Sequence, residues 1–345
     1  MPRIAVAQTP GVRLEQWRET LKLIFDLIRT AAERRADLVV LPECVWPAYH
    51  LGSRQALAAA RASGMPTEVK LLEELTRAAR SHSLAICAGY LSEQADRLLN
   101  RACFIDRHGE LLGTHDKCFL WDFDRRWFAP GTGIRPIETE FGPVGIMICA
   151  DARLPEIPAT LAARGARLIL QPTAWVNAGS PGHLWNPQAD FLIAARAAEF
   201  GLPVASASKW GREGDTTFVG SSLICDAEGR ILSQAPQAET CVLTADVEPG
   251  SNPRVRITDS EREALLSAVP PVRPGAAGRA TLSLTRAGAL LIGHVPQETA
   301  SPTSYPQADD TAAQRPLAAP GSTLQLRGPV PGVIHSGPAV IGSVR

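Results

Sequence analysis

Apolar and polar positions along this chain recur in two different periods, and the switches between them divide it into short elements. Residues 3–8, RIAVAQ, read as a strand. Leu14, Trp17, Leu21, Ile24, Phe25, Ile28 and Ala32 then fall at spacings of three and four, which predicts an amphipathic helix from 13 to about 35. ADLVVLPE (36–43) is a continuous aliphatic run, suited to a strand buried on both faces, and it stops at Pro42. Residues 67–83 read as a helix with Thr67 as N-cap, and LAICAGYL (84–91) as a strand. LNRACFIDRHGELLGTHD (99–116) predicts a hairpin turning near His108 and Gly109.

The alternation resumes after a Pro/Gly-rich loop. FGPVGIMIC is a strand, LPEIPATLAARG a helix stopped by Gly165, and ARLILQPT a strand. Residues 187–200 form a helix stopped by Gly201, LPVASAS a strand, FVGSSLICDAEGRILSQAP a hairpin turning at Glu228–Gly229, and 239–247 a last strand. Strands and helices mixed in this way predict a layered α/β domain. The hairpins argue against a purely parallel doubly wound sheet. Near residue 249 the pattern fades: the last 97 residues hold 13 of the 28 prolines and no lysine. The expected division is therefore a domain over 1–248 and a Pro/Ala/Gly-rich extension over 249–345, partly disordered or packed on a partner subunit. Within that extension, ATLSLTRAGALLIG and STLQLRG are the segments able to form β structure.

Composition narrows the class. With 45% hydrophobic and 20% charged positions in 345 residues, a sizeable core is available. Lysine plus arginine equals aspartate plus glutamate, 35 each, so there is no electrostatic footprint for nucleic acid or an anionic membrane. No apolar run is long enough to span a bilayer, and MPRIAVAQTP lacks the layout of a secretory signal. The expectation is a cytoplasmic protein with neither nucleic-acid nor membrane partner. The seven cysteines are odd in number, widely spaced and free of any C-x-x-C. That argues against a disulfide framework or zinc ribbon and for reduced thiols. Only four basic positions are lysine, at 22, 70, 117 and 209. Each deserves inspection, because some sites cannot accept arginine's broad, weakly acidic head.

Three reactive side chains stand just beyond apolar strands: Glu43 after LVVLP, Lys117 after LLGTHD, and Cys149 after GIMI. Strand ends in α/β layers are where sites gather. A thiolate can attack a carbonyl-type carbon, and a carboxylate can take the thiol proton and pass it to a leaving amine. An ammonium beside the thiol would lower its pKa and stabilise an oxyanion, with the Ala150 amide as a second donor. Such a set suits an amide, carbamoyl or nitrile carbon and calls for no metal or other cofactor. Each residue also has a plainer reading: Cys149 as core filler, Glu43 as a helix-start or loop charge, Lys117 as a surface cation.

The ordered series LPE (41–43), Lys117 after a hairpin, FAPG (128–131), CADARLPE (149–156), ARLILQPTAW (166–175), RAAEFGLPV (196–204) and FVGSSLICDAEGRIL (218–232) resembles the nitrilase superfamily of carbon–nitrogen hydrolases. The resemblance implies a four-layer α-β-β-α sandwich and a Glu-Lys-Cys triad. Glu43 would be general base and acid, Lys117 would stabilise the tetrahedral intermediate, and Cys149 would form a thioester. Many members carry a second glutamate where this chain has Asp124, one methylene shorter. Its alternative is a loop ion pair with Arg125 or Arg126. Relatives commonly associate, so a homo-oligomer is expected, through apolar end strands and the extension. Nitrilases proper usually have Cys-Trp-Glu at the nucleophile, whereas Cys149-Ala150-Asp151 resembles the amidase and carbamoyl-hydrolase branches. Carbamoylases often place two arginines in this loop. Here only Arg153 remains, and a pairing with Asp151 or Glu156 is expected of it. An amidase-like hydrolase of a small-molecule substrate follows, with Trp121, Trp127, Arg153 and Trp175 as candidate pocket residues.

Overall fold

The computed structural model describes residues 1–251 except 95, 96, 123 and 181, together with the backbone of four short strands farther on. The chain divides into two units, Met1–Arg256 and Ile257–Arg345. In chain order the first unit contains β1 (Arg3–Pro10), α1 (Trp17–Glu33), β2 (Leu38–Val40), α2 (Arg54–Ala62), α3 (Glu68–His82), β3 (Ala85–Gln94), β4 (Arg97–Ile105) and β5 (Leu111–Asp116). There follow α4 (Asp124–Trp127), β6 (Ile137–Thr139), β7 (Gly142–Ile146), α5 (Glu156–Ala163), β8 (Leu168–Pro172), α6 (Ile193–Phe200) and β9 (Val204–Ala207). It ends with β10 (Lys209–Glu213), β11 (Thr216–Val219), β12 (Leu223–Cys225), β13 (Ile231–Gln234) and β14 (Cys241–Asp246).

These strands make two sheets. One runs β11-β10-β1-β2-β3-β4-β5, with β14 antiparallel beside β1, and the other β13-β12-β9-β8-β7-β6. The period-two alternation of the first sheet sorts its side chains cleanly. Ile4, Val6, Leu38, Val40, Ala85, Cys87, Ala102 and Phe104 join the core shared with the second sheet and its α5 and α6. Ala5, Ala7, Val39, Ile86, Cys103 and Ile105 face the buried stripes of α1 and α3. The result is an α-β-β-α arrangement, as the resemblance implied. In α1 the stripe is Trp17, Thr20, Ile24, Leu27, Ile28 and Ala31. Helix α3 starts at Thr67, whose hydroxyl accepts from the Lys70 amide, and closes at Ser83 in the left-handed region.

Several elements depart from expectation, among them α4 and β6 within the stretch read as a Pro/Gly-rich loop. Helix α2 is a short Ala-rich segment capped by Ser53, and with only Leu57 and Ala60 buried it has too few large apolar positions to announce itself. Phe218, read as the start of a hairpin, belongs instead to β11, which pairs back onto β10. KWGREGDTT carries too few apolar positions to show that ladder. In the second unit, Thr281–Ser283 pairs antiparallel with Thr323–Gln325, within the two segments expected to form β structure; their remainder lies outside the described residues. Among the described residues no helix is long and apolar enough to cross a membrane.

Candidate active site

Each of the three sequence-picked side chains is delivered by a strand end that is tied down locally. After β2, the Leu41 amide still bonds Cys87 O of β3 (2.8 Å), and the Glu43 amide reaches Thr173 O beyond β8 (3.3 Å). Glu43 therefore sits where the two sheets meet. Gly89 of β3 makes room for it: a Cβ there would lie 2.5 Å from Pro42 O and 2.7 Å from Glu43 Cα. Lys117 follows β5, its amide bonding Asn100 O (2.8 Å) while its carbonyl accepts from the amide of Gly131 (2.8 Å). Gly131 ends FAPG, and a Cβ there would meet Asp116 O at 2.2 Å.

Cys149 does not lie within the strand. β7 gives way at Met147–Ile148 to a tight 3-10 turn, and Cys149 takes φ +45°, a conformation uncommon for a residue with a Cβ and frequent at functional sites. Asp151 holds the turn. One carboxylate oxygen accepts from the Ile148 amide (2.9 Å) and pairs with His115 Nε2 (3.0 Å); the other accepts from the amides of Cys118 (3.1 Å) and Phe119 (2.8 Å). The Cys149 turn and the segment after Lys117 are thus fastened to one buried carboxylate. Gln171 Nε2 donates to the Cys149 carbonyl (3.0 Å), while Gln171 Oε1 accepts from Ser206 Oγ (2.6 Å).

The charged groups form a closed cluster. Lys117 Nζ donates to Glu43 Oε1 (2.7 Å) and to Asp124 Oδ2 (2.6 Å). Asn100 Nδ2 donates to the same Glu43 oxygen (2.6 Å), and Tyr49 OH to Asp124 Oδ1 (2.7 Å). The Trp121 amide also bonds Asp124 Oδ2 (3.0 Å). Asp124 therefore reaches Lys117 despite its shorter side chain. Both of its oxygens are engaged, and neither Arg125 nor Arg126 is its partner in this cluster. Glu43 Oε2 is buried with no hydrogen-bond partner. A carboxylate oxygen left bare in the interior is costly.

Burial, then the negative charge of Asp124, raises the Glu43 pKa above its ordinary value, against the pull of Lys117. Burial opposes the Lys117 ammonium, but Glu43 and Asp124 outweigh it and hold its pKa well above normal. The Cys149 thiol is pushed up to about 12, by burial first and then by Glu43, with Lys117 only partly compensating. The net direction is opposite to the lowering expected of an ammonium beside the thiol, because burial and the Glu43 charge outweigh Lys117. A thiol raised in this way needs a base before it can act as a nucleophile.

Cys149 is 7% exposed, enough to be touched from outside, whereas Glu43 and Asp124 are fully buried and Lys117 is 1% exposed. The cleft over Cys149 and Lys117 is lined by Tyr49, Trp121, Ala150 and Arg153, among others, and its free volume is about 10 Å³, about room for one water. Arg153 stacks its guanidinium over the Trp121 ring (5.2 Å), and its Nε is buried with no acceptor. The expected pairing of Arg153 with Asp151 or Glu156 is not made among the described residues; Asp151 is occupied by backbone amides and His115. Two expected pocket residues point elsewhere. Trp175, 0% exposed, is packed in the core between the sheets. Trp127 lines a separate groove with Asp122, Arg126 and His50. Lying in loops near the motif residues did not fix their direction. Among the described residues no group of three or more His, Cys, Asp or Glu side chains is placed to hold a metal.

Sequence reading missed Asn100, Tyr49 and the tie made by Asp151. Asn100 leaves one trace, a polar residue in a largely apolar strand. Tyr49 lies in a loop without periodicity, where nothing distinguishes it from packing.

Comparison with known proteins gives a consistent picture. The sequence profile of the family "Carbon-nitrogen hydrolase" matches residues 3–256. The chain is 31% identical over 223 residues to a nitrilase of Pyrococcus abyssi, an alignment covering 64% of this chain and 80% of that protein. It is 30% identical over 234 residues to the omega-amidase NIT2 of Mus musculus, with the same two coverages, 64% and 80%. The crystal structure of an amidase from Nesterenkonia sp. superposes with a TM-score of 0.63 at 27% identity, over 77% of this chain and 96% of that one. A mutant of that amidase carries the acetamide moiety of fluoroacetamide covalently added at its active-site cysteine.

Proposed function

This chain belongs to the carbon–nitrogen hydrolase family and is a carbon–nitrogen hydrolase; from that premise we propose that it cleaves a small amide through a thioester on Cys149, with Glu43 and Lys117 completing the catalytic set. The observation that carries the reading is the bare, buried Glu43 Oε2 in a cluster with Lys117, which lines one cleft with Cys149. Glu43 takes the thiol proton as Sγ bonds to the amide carbon. The Lys117 ammonium and the Ala150 amide stabilise the oxyanion. Collapse of the tetrahedral intermediate breaks the C–N bond, and Glu43 returns its proton to the departing ammonia or amine. Water then gives a proton to Glu43 and attacks the thioester, and the Cys149 thiolate leaves and recovers that proton. The raised Glu43 pKa and the raised Cys149 pKa suit these transfers. Asp124 holds Lys117 in place and does not itself face the substrate.

Arg153, which lines the cleft and whose buried Nε lacks an acceptor, favours substrates with a carboxylate on the acyl side. The same feature keeps N-carbamoyl amino acids as a second reading. The covalent adduct at the cysteine of the Nesterenkonia amidase supports the nucleophile assignment. Seven free cysteines accord with a cytoplasmic location, and self-association belongs to the same proposal.

The deciding experiment is ammonia release from a panel of amides, N-carbamoyl compounds and nitriles, with and without a carboxylate. Cys149→Ala is expected to lower turnover by about a thousandfold or more, and the acyl group should appear on Cys149 by mass spectrometry. Unchanged turnover in Cys149→Ala would sink the proposal. No turnover of any panel member by a folded parent protein would favour a binding role for the same scaffold.

A further inference from the structure

Among the described residues, one ion pair outside the Glu43–Lys117–Asp124 cluster is equally deep: Lys209 with Glu213, at 3.0 Å and at most 1% exposed. Lys209 is another of the four lysines in a chain that uses arginine almost everywhere else. Both residues stand on β10, where positions four apart share a face but lie about 13 Å from each other. Gly211 between them takes φ +76°, a break in the extended backbone that helps the side chains converge.

What they grip is the segment following Glu43. Lys209 Nζ donates to the Cys44 carbonyl (2.9 Å). Cys44 itself sits at φ +40°, a left-handed conformation that persists for a non-glycine residue only when its surroundings enforce it. Glu213 Oε2 takes the lysine, and Oε1 accepts from the Tyr49 amide and from the His50 amide (2.7 Å). His50 Nε2 bonds Thr216 Oγ1 of β11 (2.7 Å) and fastens the same segment from outside. Tyr49 OH then bonds Asp124, and Asp124 bonds Lys117. The pair thus acts at both ends of the segment, next to Glu43 at one and behind Asp124 at the other. A buried ion pair is weak support for stability, and an apolar pair of similar volume often does as well. Its use here is geometric.

We propose that Lys209 and Glu213 are positioning residues, a clamp on Cys44–His50 that fixes the Glu43 carboxylate and the Tyr49 hydroxyl against Lys117 and Asp124. Its catalytic consequence rests on the proposed Cys149 chemistry; the clamp itself does not.

Two measurements test these parts separately. The first is backbone hydrogen exchange, read by mass spectrometry on the folded full chain. Lys209→Met and Glu213→Leu should each raise exchange over residues 43–50 by about tenfold or more while leaving β1 and β8 unchanged. Glu213→Gln keeps a carbonyl oxygen for the Tyr49 and His50 amides and should restore most of the protection. Unchanged exchange over 43–50, or a rise spread evenly across the domain, overturns the clamp. The second is the rate of Cys149 alkylation by iodoacetamide near neutral pH. Lys209→Met should slow it about tenfold and should add nothing in a Glu43→Gln background, since it acts through Glu43. Equal slowing in both backgrounds overturns the positioning role. If Glu43→Gln alone leaves alkylation of Cys149 unaltered, it is the proposed chemistry that fails, and exchange still decides the clamp.

Discussion

At Lys117 two carboxylates compete for one ammonium, and the competition sets the protonation of the whole site. Asp124 helps to raise the Glu43 pKa, and in the proposed mechanism Glu43 must be ionised to accept the thiol proton. Activity should therefore fall as pH drops through a Glu43 pKa above the usual carboxylate range. Asp124→Asn removes a negative charge, so the Glu43 pKa should fall and the acid limb of kcat/KM should move to lower pH. The same change leaves Lys117 less firmly held, and kcat should drop on the order of tenfold. A pH–rate profile of the two proteins checks both effects; an acid limb that stays put would show that Asp124 does not act on Glu43. At this scale the residue types were legible, because Glu, Lys and Cys each stood out at a strand end. Their pKa directions were not, since desolvation depends on burial that no residue type reports.

Elements place these side chains through close backbone contacts more than through side-chain packing. Strand β3 approaches Pro42–Glu43 so closely that Gly89→Ala would put a methyl group against the Pro42 carbonyl. We expect about 1–3 kcal/mol of destabilisation, measurable by urea unfolding, with a loss of kcat as Glu43 is pushed off its position. Strong periodicity made α1, α3, β1 and β4–β5 readable from sequence. The hairpin of β10 with β11 was not, because its buried members include Lys209 and Glu213, charged residues that no hydrophobic pattern records.

Across the whole molecule, Asp151 joins the end of β7 in one sheet to the segment after β5 in the other. Asp151→Ala would orphan the amides of Ile148, Cys118 and Phe119, at about 1–3 kcal/mol for each buried donor left unpaired. A fall in thermal midpoint of several degrees should follow. The outer strands carry exposed apolar side chains, Leu111 and Leu112 on β5 and Ile231 and Leu232 on β13. Open edges of this kind favour pairing with another copy. If the protein self-associates there, Leu111→Lys or Ile231→Lys should lower its sedimentation coefficient, and an unchanged value would place the contact elsewhere.

By itself the sequence determined the layered α/β class, the order of most elements and the three candidate residues at strand ends, because hydrophobic period and strand-end chemistry are local properties. The tertiary structure alone decided that Glu43, Lys117 and Asp124 share one hydrogen-bonded cluster, that Trp127 and Trp175 turn away from the cleft, and that burial raises the Cys149 thiol pKa. The physical reason is common to all three. Side-chain direction, charge proximity and desolvation arise from segments far apart in the chain brought to one place, and no local pattern encodes that.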